Sequence, residues 1–339
     1  MTLTDTFAHW LPRIEAEMLD IVNAAWQPQP PALNTMLRYH LGFANADGSA
    51  ARINAGKRIR PVLVLLSCAA VDGDPDLVLS AAAGVELLHN FSLIHDDIED
   101  GDALRRGRPT LWKQWNIAQA INSGDTMFAM AYAGLQRCAA HGVPAERVLQ
   151  ALDAFTRTNI HLTVGQHLDL SFETRDSVTA AEYLEMIAGK TGALTRASCE
   201  IGAILGGGSA AQIAALGEFG ACLGRSFQLQ DDVLGIWGDP SKTGKADSDL
   251  VHRKKTLPVL YAAERDAHVR ALYFSNAPLT AADITDLRAR IEDAGGRSHT
   301  EAAADNAYAK GREALEDLPE SEAVGNLTAL AQSLLGRAY

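Results

Sequence analysis

Apolar residues recur along most of this chain at three- and four-residue intervals, the spacing of helices that bury one face. The pattern predicts a first helix capped by Thr4 or Asp5 and running to about Ala25, where Gln27-Pro28-Gln29-Pro30-Pro31 breaks it. A second helix spans about residues 33–43, and residues 62–71 read as a core helix closed by the turn Asp72-Gly73-Asp74-Pro75-Asp76. From about residue 77 to 101, Val85, Leu88, Phe91, Ile94 and Ile98 keep helical spacing. Two long helices follow at about 117–140 and 145–170. Thr179-x-x-Glu182 and Ser209-x-x-Gln212 then have the form of capping boxes, the second opening a helix to about Trp237. Helices near 257–265, 281–294, 299–318 and 322–339 complete the pattern and carry no clustered chemistry. No period-two alternation and no dividing linker is visible. The expectation is an all-α fold with one domain over residues 1–339.

Composition strengthens that picture. Hydrophobic residues make up 47% but aromatics only 6%, which suits close-packed, alanine-rich helices. A net charge of −12 argues against nucleic acid or an anionic membrane surface as partner. Cys68, Cys138, Cys199 and Cys222 lack metal-ligand spacing and read as reduced thiols within helix packing. The N-terminus has no basic and apolar leader, and the longest apolar run, residues 62–71, is too short to span a bilayer. A cytoplasmic protein with no stable membrane insertion is expected.

The candidate chemistry begins at Asp96-Asp97-Ile98-Glu99-Asp100, four acids within five positions at the end of an apolar helix. Asp96 and Asp100 lie one turn apart on one face, with His89 two turns before Asp96. Stacked like charges repel, and a bound divalent cation is one reason for a helix to carry them. Upstream, Gly56-Lys57-Arg58-Ile59-Arg60-Pro61 gathers three cations at a helix N-terminus, where an anion would be welcome. Downstream, Arg105-Arg106-Gly107-Arg108-Pro109 is a loop whose guanidinium forks suit phosphate. Lys190-Thr191 sits at a glycine-flanked break in a helix. Asp231-Asp232 forms a second acidic pair, followed by a cation-rich loop with Lys245 and Lys254. Read singly, these are equally a charged surface loop, a salt-bridge cluster or a core histidine.

Taken together, they call for oxygen-coordinated Mg²⁺ and a diphosphate; no Cys/His set suits zinc, and no phosphate-binding G-x-x-x-x-G-K-[ST] loop is present. A reaction in which diphosphate leaves carbon fits, with an apolar cavity keeping water from the cation left behind.

The ordered set Gly56-Lys57-Arg58-x-Arg60-Pro61, Asp96-Asp97-x-x-Asp100, Arg105-Arg106-Gly107-x-Pro109-Thr110, Lys190-Thr191, Phe227-Gln228-x-x-Asp231-Asp232 and Lys254-Lys255-Thr256-Leu257-Pro258 resembles the trans-isoprenyl diphosphate synthases of the polyprenyl synthetase family. The resemblance implies an isoprenoid-synthase helical bundle around a central apolar cavity. It implies condensation of isopentenyl diphosphate with an allylic diphosphate, three Mg²⁺ ions per active site and a homodimer. By motif, Asp96, Asp97, Asp100, Asp231 and Asp232 would serve the metal. Arg105, Lys190, Lys245 and Lys254 would hold the allylic diphosphate, and Lys57, Arg60, His89 and Arg106 isopentenyl diphosphate. Lys190, Thr191 and Gln228 would line the reacting centre. The second acidic motif departs from D-D-x-x-D at Gly235, a loss for which Asp239 is one candidate to compensate. A class I terpene cyclase and an inactive partner subunit are the rivals. Phe91 and Ser92, just before the first motif, resemble the chain-length position of geranylgeranyl diphosphate synthases; farnesyl diphosphate synthase is the alternative.

Overall fold

The computed structural model describes residues 2–24, 31–53, 56–238, 248–275 and 277–335. It contains two compact units. One comprises Met1–Phe155, Ser198–Ile213 and Ser321–Asn326, and the other Thr156–Ala197, Ala214–Glu320 and Leu327–Tyr339. The fold is all-α, apart from one two-stranded ribbon among the described residues.

In the first unit the helix Leu79–Glu99 packs most extensively on Ile117–Arg137, and also on Leu3–Ala24 and Ile59–Ala69. Every residue from Ser80 to Leu88 is buried, the signature of a helix surrounded on all sides. The segment Pro75–Glu99 is long and apolar enough to cross a membrane by composition, yet most of it is buried as the core of this unit. Asp74 caps a short 3₁₀ turn, Pro75–Val78, through the Asp76 amide, so the α-helix proper starts at Leu79 rather than 77. Beyond His89 one side opens: Ile94 and Asp97 stay buried while Glu99 and Asp100 reach the surface.

The arginine loop is a hairpin. Leu104–Arg105 pairs with Arg108–Pro109, and the two turn residues Arg106 (φ 52°) and Gly107 (φ 76°) are both left-handed. Strands of two residues leave no readable alternation, so the sequence pattern showed only a loop.

In the second unit Leu257–Ala263 packs on Gly296–Glu316 and touches Ala180–Ile187, Ala267–Tyr273 and Ala281–Asp293. One core joins Tyr183, Met186, Ile187, Leu229, Leu257 and Leu260. Another joins Ile236, Leu250, Val259, Tyr273, Leu287 and Ile291. The predicted capping box at Thr179 and Glu182 forms in both directions, and the Thr179 amide, the Arg175 guanidinium and the Thr179 hydroxyl hold the Glu182 carboxyl down at about 2. Ser209 and Gln212 likewise bond reciprocally. The short helices Ala267–Tyr273 and Ser248–Val251 were not expected, although Asp266, which accepts from the His268 and Val269 amides, is a cap signal for the former.

All four cysteines are free and buried. Burial pushes the Cys68 and Cys199 thiols up to about 12, so they stay protonated and inert at neutral pH.

Candidate active site

In the first unit, the C-terminal turns of Leu79–Glu99 carry Asp96 partly exposed and Asp100 exposed, one turn apart. Asp97 is different: it is 1% exposed and receives the Arg105 Nε at 2.7 Å. Burial raises its carboxyl to about 6, against the pull of Arg105. Asp97 therefore anchors the arginine hairpin from within. No group of three or more His, Cys, Asp or Glu side chains is preassembled to hold a metal among the described residues.

Four arginines of the first unit act electrostatically on His89. Burial pushes His89 far below its ordinary range, and Arg60, Arg106, Arg105 and Arg58 reinforce the shift, so the ring is neutral and ringed by positive charge. The Arg106 guanidinium lies against Gly56, where an added Cβ would stand 3.1 Å from its nitrogen. The hairpin thus meets the Gly56–Pro61 segment, as an anion site built from both would need. Lys57 is exposed on the same segment. Arg58, however, turns inward, 3% exposed, and donates to Glu86 at 2.7 Å and to the Leu41 carbonyl. A small cleft beside the hairpin is lined by Tyr39, His40, Arg105, Arg106 and Arg108. Arg108 is occupied there: it stacks over the Tyr39 ring at 3.8 Å and donates to the Tyr39 and Ala44 carbonyls.

Phe91 heads a row of aromatic rings. Its centroid is 5.1 Å from Phe128, which is 5.3 Å from Tyr132, which is 5.0 Å from Phe155. Ser92 bonds back to the His89 carbonyl and stays local.

The second unit contains a cavity of about 530 Å³ whose lining includes Lys190, Thr191, Gln228, Asp231, Asp249 and Lys254. The break predicted at Gly189-Lys190-Thr191-Gly192 is a π-helical turn, Ala188–Gly192, a form concentrated at functional sites. Gly165 packs directly on this turn, its Cα 3.0 Å from where a Gly189 Cβ would stand. Any side chain at either position would push the turn away. Lys190 extends to Asp169 at 2.5 Å, and Thr191 donates to the Gln228 carbonyl oxygen at 2.9 Å. Gln228 in turn donates to Asp232, which also accepts from the buried Tyr183 hydroxyl. Burial lifts Asp232 to about 7 despite these donors, with the Asp249 charge adding to the rise. Asp231, on the same helix Ala210–Trp237, is exposed. Lys254 is exposed, whereas Lys255 donates to the Glu173 carbonyl at 2.9 Å and closes that helix end. Lys245 and Asp239 lie outside the described residues.

The polyprenyl synthetase family model matches residues 49–289. The chain is 40% identical over 333 residues to a geranylgeranyl diphosphate synthase of Mycobacterium tuberculosis, covering 96% of this chain and 93% of that one. The chain belongs to the polyprenyl synthetase family. A (2E,6E)-farnesyl diphosphate synthase of Mycobacterium bovis is 44% identical, over 232 residues, 68% of this chain and 63% of that protein. Among solved structures, a polyprenyl synthetase from Streptomyces coelicolor superposes with a TM-score of 0.89 at 36% identity, covering 98% of this chain and 99% of that one. This isoprenyl diphosphate synthase is a trans-prenyltransferase that uses isoprenoid diphosphate substrates.

Sequence reasoning missed Asp169, Tyr183 and Asp249. Tyr183 sits on the apolar stripe of its helix and reads as core; only the buried Asp232 facing it reveals the hydroxyl's task. Asp169 was visible as the end of a helix, but a pairing across 21 positions has no local signature.

Proposed function

We propose that this synthase condenses isopentenyl diphosphate head-to-tail with an allylic diphosphate, with geranylgeranyl diphosphate as its main product. One observation carries the product: the resemblance to a geranylgeranyl diphosphate synthase runs over nearly the whole of both chains. The higher but shorter match to a farnesyl diphosphate synthase supports farnesyl diphosphate as the second reading.

The allylic C–O bond breaks and its electron pair leaves with the diphosphate. The double bond of isopentenyl diphosphate attacks the allylic carbon, and the departing diphosphate takes the proton then lost. Asp96 and Asp100 in the first unit and Asp231 in the second fit Mg²⁺, being hard oxygen donors at the surface with no Cys or His among them. When bound, Mg²⁺ would neutralise diphosphate charge and help it leave. Asp97 and Asp232 support from behind, through Arg105 and through Tyr183 and Gln228. Lys190 and Lys254 hold the leaving diphosphate. The Thr191 and Gln228 oxygens, paired in the cavity lining, would stabilise developing positive charge. Arg60, Arg106 and Lys57 hold the second diphosphate, with neutral His89 beside them. A homodimer is supported by Ile117 and Ile121, exposed on Ile117–Arg137, and light scattering on the purified protein reads its mass. The four buried thiols support a reducing cytoplasm.

Incubation of the purified protein with Mg²⁺, labelled isopentenyl diphosphate and dimethylallyl, geranyl or farnesyl primers should yield mainly geranylgeranyl diphosphate. Accumulation of farnesyl diphosphate would favour the second reading, and no elongated product would sink both.

Phe91→Ala should shift the distribution toward longer chains, as the resemblance of position 91 to the family's chain-length position implies. An unchanged distribution would remove Phe91 as the chain-length stop.

A further inference from the structure

Arg253 is left-handed, at φ 51°, although it carries a side chain. That backbone is unfavourable for any residue with a Cβ, so its surroundings must hold it there. The guanidinium shows how. One arm donates to the carbonyls of Leu272 at 3.0 Å, of Tyr273 at 2.7 Å and of Ser275, and the other to the carbonyl of Ala277. These carbonyls lie at and just beyond the end of Ala267–Tyr273, where a helix leaves acceptors unpaired and its dipole favours a cation.

What the fork fastens is the segment that carries Lys254. The Arg253 amide turns back to the Leu250 carbonyl at 3.2 Å, and the Lys254 amide to the Asp249 carbonyl at 2.9 Å. The left-handed residue thus reverses the chain after Ser248–Val251 and brings Lys254 to the cavity. On the inner side the buried Tyr273 hydroxyl is shared between the Asp249 carbonyl at 3.0 Å and the Lys254 carbonyl at 2.8 Å. The Lys254 ammonium pairs loosely with Asp249, at 4.0 Å. Its place at the cavity is therefore set by the backbone more than by a tight ion pair.

We propose that Arg253 is a positioning residue: its fork clamps the Lys254 segment onto the end of the Ala267–Tyr273 helix, so that Lys254 meets the allylic diphosphate already in place. Arg253 acts from outside the cavity lining, through the chain, and its bonds offset the strain of its own backbone. This rests on the reading of Lys254 as a holder of the leaving diphosphate.

The test compares wild type with Arg253→Gly, Arg253→Lys and Lys254→Ala. Glycine takes the left-handed backbone without strain, so Arg253→Gly removes the clamp alone. KM is measured separately for geranyl diphosphate and isopentenyl diphosphate, and amide hydrogen exchange is followed over residues 249–256. Arg253→Gly should raise KM for geranyl diphosphate about 10-fold and leave that for isopentenyl diphosphate unchanged. Exchange over residues 249–256 should quicken. Arg253→Lys keeps the charge without the fork and should fall between, and it carries the same comparison should the glycine variant unfold. A wild-type KM for geranyl diphosphate in Arg253→Gly, beside a raised one in Lys254→Ala, would overturn the proposal. So would an equal rise in both KM values, the mark of a loosened fold. If Lys254→Ala itself leaves KM for geranyl diphosphate unchanged, the reading of Lys254 falls and the proposal with it. Exchange needs no turnover, so unchanged exchange in Arg253→Gly would remove the clamp whatever the enzyme makes.

Discussion

Replacing Asp96 by alanine is expected to lower kcat/KM by about 10³-fold or more, with the fold intact. Asp96 lies one turn from the exposed Asp100, whereas Asp97 is turned in and committed to Arg105. Stability should hold or rise slightly, since carboxylates at i and i+4 repel by a few tenths of a kcal/mol and the substitution relieves this. Steady-state kinetics over a Mg²⁺ series, paired with thermal unfolding, separates the two effects. Wild-type rates in Asp96→Ala would contradict its assignment to the metal, and an unfolded variant would move the explanation to structure.

Arg58→Ala should be the most destabilising change in the basic motif, at about 3–5 kcal/mol, because it strands the buried Glu86 carboxylate without its partner. The Arg58 and Glu86 side chains are 1% and 4% exposed, so solvent screening does little to soften the loss. Asn90, which also donates to Glu86, remains as one neutral donor and cannot replace a charge. Lysine should rescue poorly, since Arg58 bonds Glu86 and the Leu41 carbonyl at once through the two arms of its fork. Urea unfolding of Arg58→Ala, Arg58→Lys and the double change Arg58→Met/Glu86→Leu checks this. The double variant should sit closer to wild type than Arg58→Ala. A loss below about 1 kcal/mol in Arg58→Ala would show that water reaches the pair.

The long helices and the caps at Thr179 and Ser209 were legible because their signals are local, whereas the first helix starts at Leu3, with Thr2 accepting from the Asp5 amide, and not at a cap on Thr4 or Asp5. Thr179 and Glu182 are three positions apart, and the stripe through Val85, Leu88 and Ile94 needs only the period. The candidate site was legible as an ordered set of motifs. Which side chain in a motif faces in was not. Arg58 and Arg60 are two positions apart with the same chemistry, and only the position of Glu86 decides that Arg58 turns inside. Asp96 and Asp97 are likewise neighbours with opposite surroundings. The closeness of Asp249 to Gly235 lay beyond sequence reading, because the two sit on different helices and meet only through tertiary packing. Asp239, two turns after Asp231, was the natural local guess. The hairpin and the short helix Ala267–Tyr273 fall below the length at which periodicity speaks.

The π-helical turn at Ala188–Gly192 sets local helix energetics against the placement of the cavity's side chains. It holds one residue more than an α-helix would, so deleting a single residue there would close an unbroken α-helix. The helix after the turn would keep nearly its present place, and the displacement would fall on the residues of the turn itself. Thr191 would leave Gln228, and Lys190 would leave Asp169. Local helix energetics would improve while the reaction-lining residues dispersed. The wide turn therefore gives up local helix energetics in exchange for placing Lys190 and Thr191 at the cavity.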